Sequence, residues 1–258
     1  MTTRTFKERV LSRERVLGAM ILEFFVPALP QLVKAAGAEF LFLDMEHTGV
    51  SMETLKGLIA GCRGVGVAPI VRVPATEYDF IARVLDIGAH GVMVPMVETR
   101  EQAEFIVSCT RYPPQGRRGA AFGFAHDDYQ GGNVPEKIAA LHARTLLIAQ
   151  IETVEGLRNV EAIAAVPGID VLWLGHFDLT NSMGIPGAFD HPDYVAAVVR
   201  IVAACEQAGK VAAFLATDER SARDAVARGF RMFAYGIDQL MLQEALRAGL
   251  SMLREIRR

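Results

Sequence analysis

Short apolar runs alternate with longer amphipathic stretches along almost the whole chain. The short runs are LGAMIL (17–22), FLFLD (40–44), PIVRV (69–73), GVMVP (91–95), TLLIAQIE (145–152), VLWLG (171–175), VAAFL (211–215) and FRMFAYG (230–236). Their length and branched or aromatic content suit buried strands. Between them, SMETLKGLIAGC (51–62), EYDFIARVLDIG (77–88), TREQAEFIVSCT (99–110) and DERSARDAVARG (218–229) repeat apolar residues at three- and four-residue spacing. That spacing gives a helix one buried face. Gly64, Gly88, Gly209 and Gly229 stand where helices should end, since glycine readily takes the left-handed turn that closes a helix. Near-continuous apolar strands alternating with helices imply a parallel sheet covered by those helices.

Eight such units, with no glycine fingerprint after the first strand, favour an α/β fold of the (β/α)8 TIM-barrel type over a doubly wound sheet. The expected organisation is one barrel domain over residues 1–258. One connection is long. Residues 111–144, RYPPQGRRGAAFGFAHDDYQGGNVPEKIAALHAR, should form a lid, an insertion or an interface.

Composition narrows the function. The chain has 258 residues, 51% of them hydrophobic, which is enough for a barrel of typical size. A net charge of −3 with scattered Lys and Arg leaves no basic footprint for nucleic acid. No apolar run approaches the ~18 residues of a membrane span, and the charged start MTTRTFKERV lacks a signal core. Cys62, Cys109 and Cys205 are an odd count without metal-type spacing. They read as buried thiols of a cytoplasmic protein.

Barrel active sites lie at the C-terminal ends of the strands. Asp44, Glu46 and His47 end the second strand, and Arg72 lies in the third. Gln150 and Glu152 end the fifth, and Asp178 follows the sixth. Glu152 and Asp178, brought together, would repel unless one is protonated or a cation lies between them. With Gln150 nearby, the donors are oxygens, which suits Mg²⁺ or Mn²⁺. The plainer alternative makes them solvated acids, or Asp178 a helix N-cap. A permanent cation at Arg72 needs an anion, either Asp44 or Glu46 or a substrate. His47 beside carboxylates could be oriented as a general base. His126 and His176 are candidates to support the site, whereas His90, His142 and His191 read as surface residues.

LFLDMEHTGVS, PIVRVPA, DIGAHGVMVPMVETREQAE, RYPPQGRRG, AQIETVEGLRNVEAIAAVPGIDVLWLG and FDLTNSMGIPG together resemble the HpcH/HpaI aldolase family, the metal-dependent class II pyruvate aldolases related to the citrate lyase β-subunit. The resemblance implies Glu152 and Asp178 as ligands of a divalent metal, Mg²⁺ or Mn²⁺, with Co²⁺ also conceivable. It implies Arg72 as the enolate-stabilising arginine, His47 as the base and Asp86 as the aspartate paired with that histidine. Gln150, Phe177 and Asp178 would lie against the bound 2-oxo acid, with Asp44 and Glu46 behind the histidine. The implied reaction cleaves a 4-hydroxy-2-oxo acid to pyruvate and an aldehyde. The implied assembly is a homo-oligomer, a hexamer or trimer of dimers built partly by the C-terminal helix.

Two departures from the family pattern stand out. His176 and Phe177 replace a proline and a small residue, which would reshape the pocket. AAFGFAHDDYQGG replaces an Arg-Ala-Ser stretch, and its Asp127 and Asp128 make a neutral aldehyde the expected second substrate. An oxo-acid decarboxylase or a citrate-lyase-like acyl-CoA lyase would use the same enolate. Arg117 and Arg118 are the only local cations for a CoA nucleotide. A non-catalytic barrel would be expected to have lost one of His47, Arg72, Glu152 or Asp178, and all are present.

Overall fold

A computed structural model describes residues 4–256, so the first three and last two residues of the expected domain lie outside it. The strands are β1 (Val16–Ile21), β2 (Phe40–Asp44), β3 (Ala68–Arg72), β4 (Gly91–Val94), β5 (Leu146–Ile151), β6 (Val171–Leu174), β7 (Val211–Ala216) and β8 (Met232–Ile237). They pair in parallel, each with its sequence neighbour, and β8 pairs with β1 to close the barrel. The helices are α1 (Phe6–Leu11), α2 (Leu29–Ala35), α3 (Met52–Gly64), α4 (Tyr78–Asp86), α5 (Arg100–Thr110), α6 (Val134–Arg144), α7 (Val154–Arg158), α8 (Val160–Ala164), α9 (His176–Ser182), α10 (Pro192–Gln207), α11 (Glu219–Arg228) and α12 (Asp238–Glu255).

Strand residues point alternately to the two faces of the sheet. Phe40, Phe42, Ile70, Met93, Ile148 and Trp173 fill the barrel interior. Leu41, Leu43, Val71, Val92, Ala149 and Leu172 pack outward against the helices. Every strand is therefore apolar on both faces, which is why the runs read as continuous. α1 closes the N-terminal end of the barrel. There the Lys7 Nζ donates to Asp170 Oδ2 at 2.7 Å and to the Thr145 carbonyl at 2.8 Å, so neither buried charge is left alone. Cys62, Cys109 and Cys205 are buried free thiols.

Three expectations need correction. α3 runs through Gly64 and is capped at Val65, and Gly66 takes the positive φ of 72° instead. The long 111–144 connection leaves α5 and enters β5 at the N-terminal end of the barrel, so it cannot be a lid over a site at the strands' C-terminal ends in the same chain. It carries a short 3-10 turn at Ala125–Asp127 and the whole of α6, in which Leu141 is the single buried residue. His90 and His142 are not surface residues. Burial pushes His90 down to about 3, and His142 stacks on Tyr112 and accepts its backbone N–H at 3.0 Å.

α12 is the least covered helix. Leu242, Leu246, Leu250 and Leu253 form an exposed stripe on it, and Asp238 at its start is its one buried residue. The Asp238 carboxylate accepts the backbone N–H groups of Leu22, Glu23 and Phe24 at 2.7–3.0 Å, which ties the helix start to the exit of β1. No helix of the described residues is long and apolar enough to cross a membrane.

Candidate active site

The inward positions of β2, β3 and β5 read Phe40-Phe42-Asp44, Ala68-Ile70-Arg72 and Leu146-Ile148-Gln150, with Glu152 next in the last series. The period that builds the apolar interior thus ends, on three strands, in polar residues at the C-terminal rim. Register places Asp44 beside Arg72. Arg72 Nε donates to Asp44 Oδ1 at 2.6 Å, and Arg72 Nη1 lies 3.1 Å from Glu46 Oε2. Asp44 is fully buried and also accepts the N–H groups of Glu46 at 3.1 Å and His47 at 3.2 Å. One carboxylate therefore fixes both the arginine and the turn that carries the histidine. Burial opposes the Arg72 charge, but the hydrogen bond and charge of Asp44, with Glu46 and Glu152, outweigh it and raise its pKa. Burial likewise raises Glu46 above the usual carboxylate range, against the pull of Arg72.

Glu152 is almost completely buried. Its Oε1 accepts the Met96 N–H at 2.7 Å, and its Oε2 accepts a short hydrogen bond from the Gln150 amide. Burial pushes its pKa up to about 7, with Glu46 and Asp178 adding to the rise and the two hydrogen bonds opposing it. Met96 presents its N–H from the left-handed region at φ 53°, an uncommon place for a methionine. The Gln150 Oε1 is buried without a hydrogen-bond partner. Such an atom is costly unless a ligand satisfies it.

Asp178 sits in the first turn of α9, exposed at the rim, and Gly175 is the N-cap, so the N-cap alternative for Asp178 does not hold. Gly175 is there for room, because its φ of −86° suits any residue. A Cβ at 175 would come within 2.5 Å of both the Cβ and the Oε2 of Glu152. Gly175→Ala is therefore expected to push the Glu152 carboxylate aside and destabilise the fold by about 1–3 kcal/mol. Thermal unfolding and metal titration of the variant would check this. Unchanged values in both would mean that α9 shifts without cost.

A model of the HpcH/HpaI aldolase/citrate lyase family matches residues 21–245. The chain belongs to this family. It is 40% identical to a 4-hydroxy-2-oxovalerate aldolase of Novosphingobium aromaticivorans, over 89% of this chain and 87% of the relative. It is 34% identical to a hydroxypyruvate/pyruvate aldolase of Roseobacter denitrificans, over 92% of each. The crystal structure of an HpcH/HpaI aldolase from Desulfitobacterium hafniense superposes with a TM-score of 0.94 at 28% identity, covering 99% of this chain and 98% of that one. The protein is a lyase of the class II pyruvate-aldolase family.

In this HpcH/HpaI enzyme the residues singled out in the sequence fall into two groups. Asp44, Glu46 and Arg72 form one contact network and Gln150 and Glu152 a second, and the charge of Glu152 acts on both Arg72 and Glu46 across the rim. Asp178 adds its charge to both, since it raises both Glu46 and Glu152. His47 stands at the edge with an exposed imidazole, its Nε2 3.8 Å from Glu46 Oε2. Phe177 is exposed beside Asp178. Asp86 is not brought to this rim. It ends α4, which runs back from β3 to the opposite end of the barrel, and there its carboxylate pairs with Arg118 at 2.6 Å.

Asp127 and Asp128 are also remote from the rim. Lys137 holds the first at 2.7 Å and Arg63 pairs with the second, so they do not line the site of their own chain. The argument from these acids for a neutral aldehyde therefore fails within one chain. Arg118 is buried against Asp86, and Arg117 lies over the Phe105 ring, so neither forms a nucleotide groove at the rim. His126 is buried beside the Asp86 carbonyl, likewise away from the site. His176 is buried among Phe177, Phe189 and Phe214, which pushes its pKa down to about 4 against the charge of Asp178.

Sequence reasoning missed two contributors. Met96 acts through its backbone, which carries no side-chain signal. Gly175 was legible only as a glycine between an apolar strand and a helix.

Among the described residues, no three His, Cys, Asp or Glu side chains cluster tightly enough to hold a metal by themselves. The donors that are present still suit a hard divalent ion: two carboxylates, Glu152 and Asp178, and the unpartnered Gln150 oxygen. The remaining coordination positions of such an ion would fall to water and substrate.

Proposed function

We propose that this enzyme is a divalent-metal-dependent aldolase that reversibly cleaves 4-hydroxy-2-oxo acids to pyruvate and an aldehyde. The observation that carries the reading is the Asp44–Arg72–Glu46 network facing the buried Glu152–Gln150 pair at one rim. Metal dependence is a property of the family, and the names of the relatives supply the reaction class.

Glu152 and Asp178 would hold Mg²⁺ or Mn²⁺. The bound ion would polarise the keto group of a chelated 2-oxo acid. Arg72 offers a fixed, permanently charged donor to the negative oxygen that develops as the enolate forms. Its Nε donates to Asp44 and its Nη1 forms an ion pair with Glu46, whereas Nη2 is engaged by neither acid. Holding that fork in place before substrate arrives is what makes it effective. His47, exposed at the entrance and steadied by Glu46, takes the C3 proton in the synthetic direction and returns it in cleavage. Gln150 orients Glu152 through its amide, and its own oxygen has no hydrogen-bond partner among the described residues.

Asp86 cannot assist the His47 of its own chain, because the two lie at opposite ends of the barrel. Its proposed pairing with the histidine therefore requires a second copy of the chain. The exposed leucine stripe of α12 supports such a homo-oligomer.

Loss of pyruvate methyl protons in D₂O, followed by NMR with Mg²⁺, tests the enolate half-reaction. Exchange should need the metal, stop with EDTA and fall about 10²–10⁴-fold in His47→Asn. If no divalent ion supports exchange, the aldolase reading fails. An aldehyde product must then be shown, since decarboxylation and acyl-CoA cleavage share the enolate.

A further inference from the structure

A cavity of about 440 Å³ opens between α10 and α11, outside the barrel wall. Its floor is Leu174 and Phe214, both outward-facing strand residues. It therefore lies mainly on the outer face of the barrel, whereas the rim site lies on the inward face, and of its lining only Leu215 belongs to the inward cluster. Its size falls in the range of small-molecule sites, about 300–1,000 Å³.

Its walls are aromatic. The Phe177 and Phe189 rings lie 5.2 Å apart in an edge contact, and His176 lies 5.3 Å from Phe189 and 5.1 Å from Phe214. Two polar groups face into it. His176 is 9% exposed and Tyr194 is 7% exposed, and neither side chain makes a hydrogen bond to a described residue. With no such bond to a neighbour, the imidazole and the phenol are both available to a ligand hydroxyl, which can donate to one and accept from the other. The arginines at the mouth are paired with acids. Arg220 pairs with Asp190 at 2.9 Å, Arg228 pairs with Asp224 at 2.7 Å, and Asp218 accepts the Ser221 N–H at 2.7 Å as the cap of α11. Asp190, Asp218 and Asp224 outnumber Arg220 and Arg228 in the lining, so the mouth disfavours an anionic ligand.

We propose that this cavity binds a small uncharged aromatic molecule carrying a hydroxyl group, packed against Phe177, Phe189 and Phe214 and hydrogen-bonded to His176 or Tyr194. The site does not depend on the proposed reaction. It approaches the rim through the first turn of α9, which carries both Phe177 and Asp178, and through Leu215 and Thr217 at the end of β7.

The test is ¹⁹F NMR of 4-fluorophenol with the intact protein. Saturable line broadening is expected, and Val195→Trp, which fills the cavity from α10 without removing a polar group, should abolish it. Tyr194→Phe or His176→Phe should weaken binding roughly three- to tenfold, the worth of one hydrogen bond. Fluorobenzene, which lacks the hydroxyl, should bind more weakly by a similar factor, and 4-fluorobenzoate should not bind. Absence of broadening up to about 10 mM would overturn the proposal. So would 4-fluorophenol binding that survives Val195→Trp, or 4-fluorobenzoate binding more tightly than the phenol. If Val195→Trp does not fold, the Tyr194→Phe and His176→Phe pair and the ligand series decide alone.

A free hydroxyaromatic molecule and the ring of an aromatic aldehyde substrate share this chemistry. Product formation from pyruvate and 4-hydroxybenzaldehyde separates them. Turnover retained in Val195→Trp assigns the pocket to a free molecule, and turnover lost with 4-fluorophenol binding assigns it to the substrate.

Discussion

Glu152→Gln is expected to cut metal-dependent pyruvate exchange by about 10³-fold while making the metal-free protein more stable at pH 8. The first effect follows from replacing an anionic metal ligand with a neutral one, which forfeits several kcal/mol of charge stabilisation. The second follows from burial. The carboxyl of Glu152 has its pKa pushed up from 4.5 to about 7, chiefly by desolvation. Between those two values the folded chain holds a proton here that the unfolded chain has released. Stability from this group is therefore full below about pH 4.5 and is lost as pH rises to about 7. The loss is on the order of 3 kcal/mol at pH 8 without metal.

Glutamine removes that term and keeps the shape. Its oxygen can still accept the Met96 N–H, and its amide can donate to the Gln150 oxygen that now lacks a partner. Thermal unfolding at pH 5 and pH 8, with EDTA and with Mg²⁺, reads the whole prediction. The EDTA curves of the two proteins should converge at pH 5 and separate at pH 8, with the variant higher. Mg²⁺ should raise the midpoint of the wild type and leave the variant unmoved. Equal Mg²⁺ stabilisation of both proteins would remove Glu152 from the ligand set.

The strand-by-strand reading of the sequence succeeded where one physical cause dominated. Apolar runs such as FLFLD and VLWLG are short and rich in large apolar residues, which suits strands buried on both faces, and eight of them in sequential parallel pairing close a barrel. The same period carried Asp44, Arg72, Gln150 and Glu152 to one inward rim. The failures lie where tertiary contacts decide. α6 follows a Pro- and Gly-rich stretch and buries only Leu141, so its pattern reads as part of one long connection. Asp86 sits in a family motif, yet nothing local says which end of the barrel a helix C-terminus faces. That follows only from the strand–helix–strand direction. Asp127 and Asp128 looked like free acids in a polar loop, and their partners Lys137 and Arg63 come from α6 and α3. Charge in a loop cannot be assigned to a substrate until the fold shows what neutralises it.

Arg72→Lys should lower pyruvate exchange by about 10²–10³-fold with only a small loss of stability. A lysine keeps the positive charge, so fully buried Asp44 retains a counter-ion. It cannot reproduce a planar fork that reaches Asp44 with Nε and Glu46 with Nη1 while keeping another N–H edge for substrate. Arg72→Ala makes the complementary case. It strands the Asp44 charge in the interior and should cost about 3–5 kcal/mol. In a chain of this size that lowers the unfolding midpoint by roughly 10 °C or more. Adding Asp44→Asn to Arg72→Ala should recover part of that stability and none of the activity. Stability follows the Asp44–Arg72 pair, whereas exchange follows the guanidinium alone, so the two readouts separate its roles. Exchange at the wild-type rate in Arg72→Lys would make the arginine a structural partner of Asp44. The enolate oxygen would then have to be stabilised from the Glu152–Asp178 side of the site.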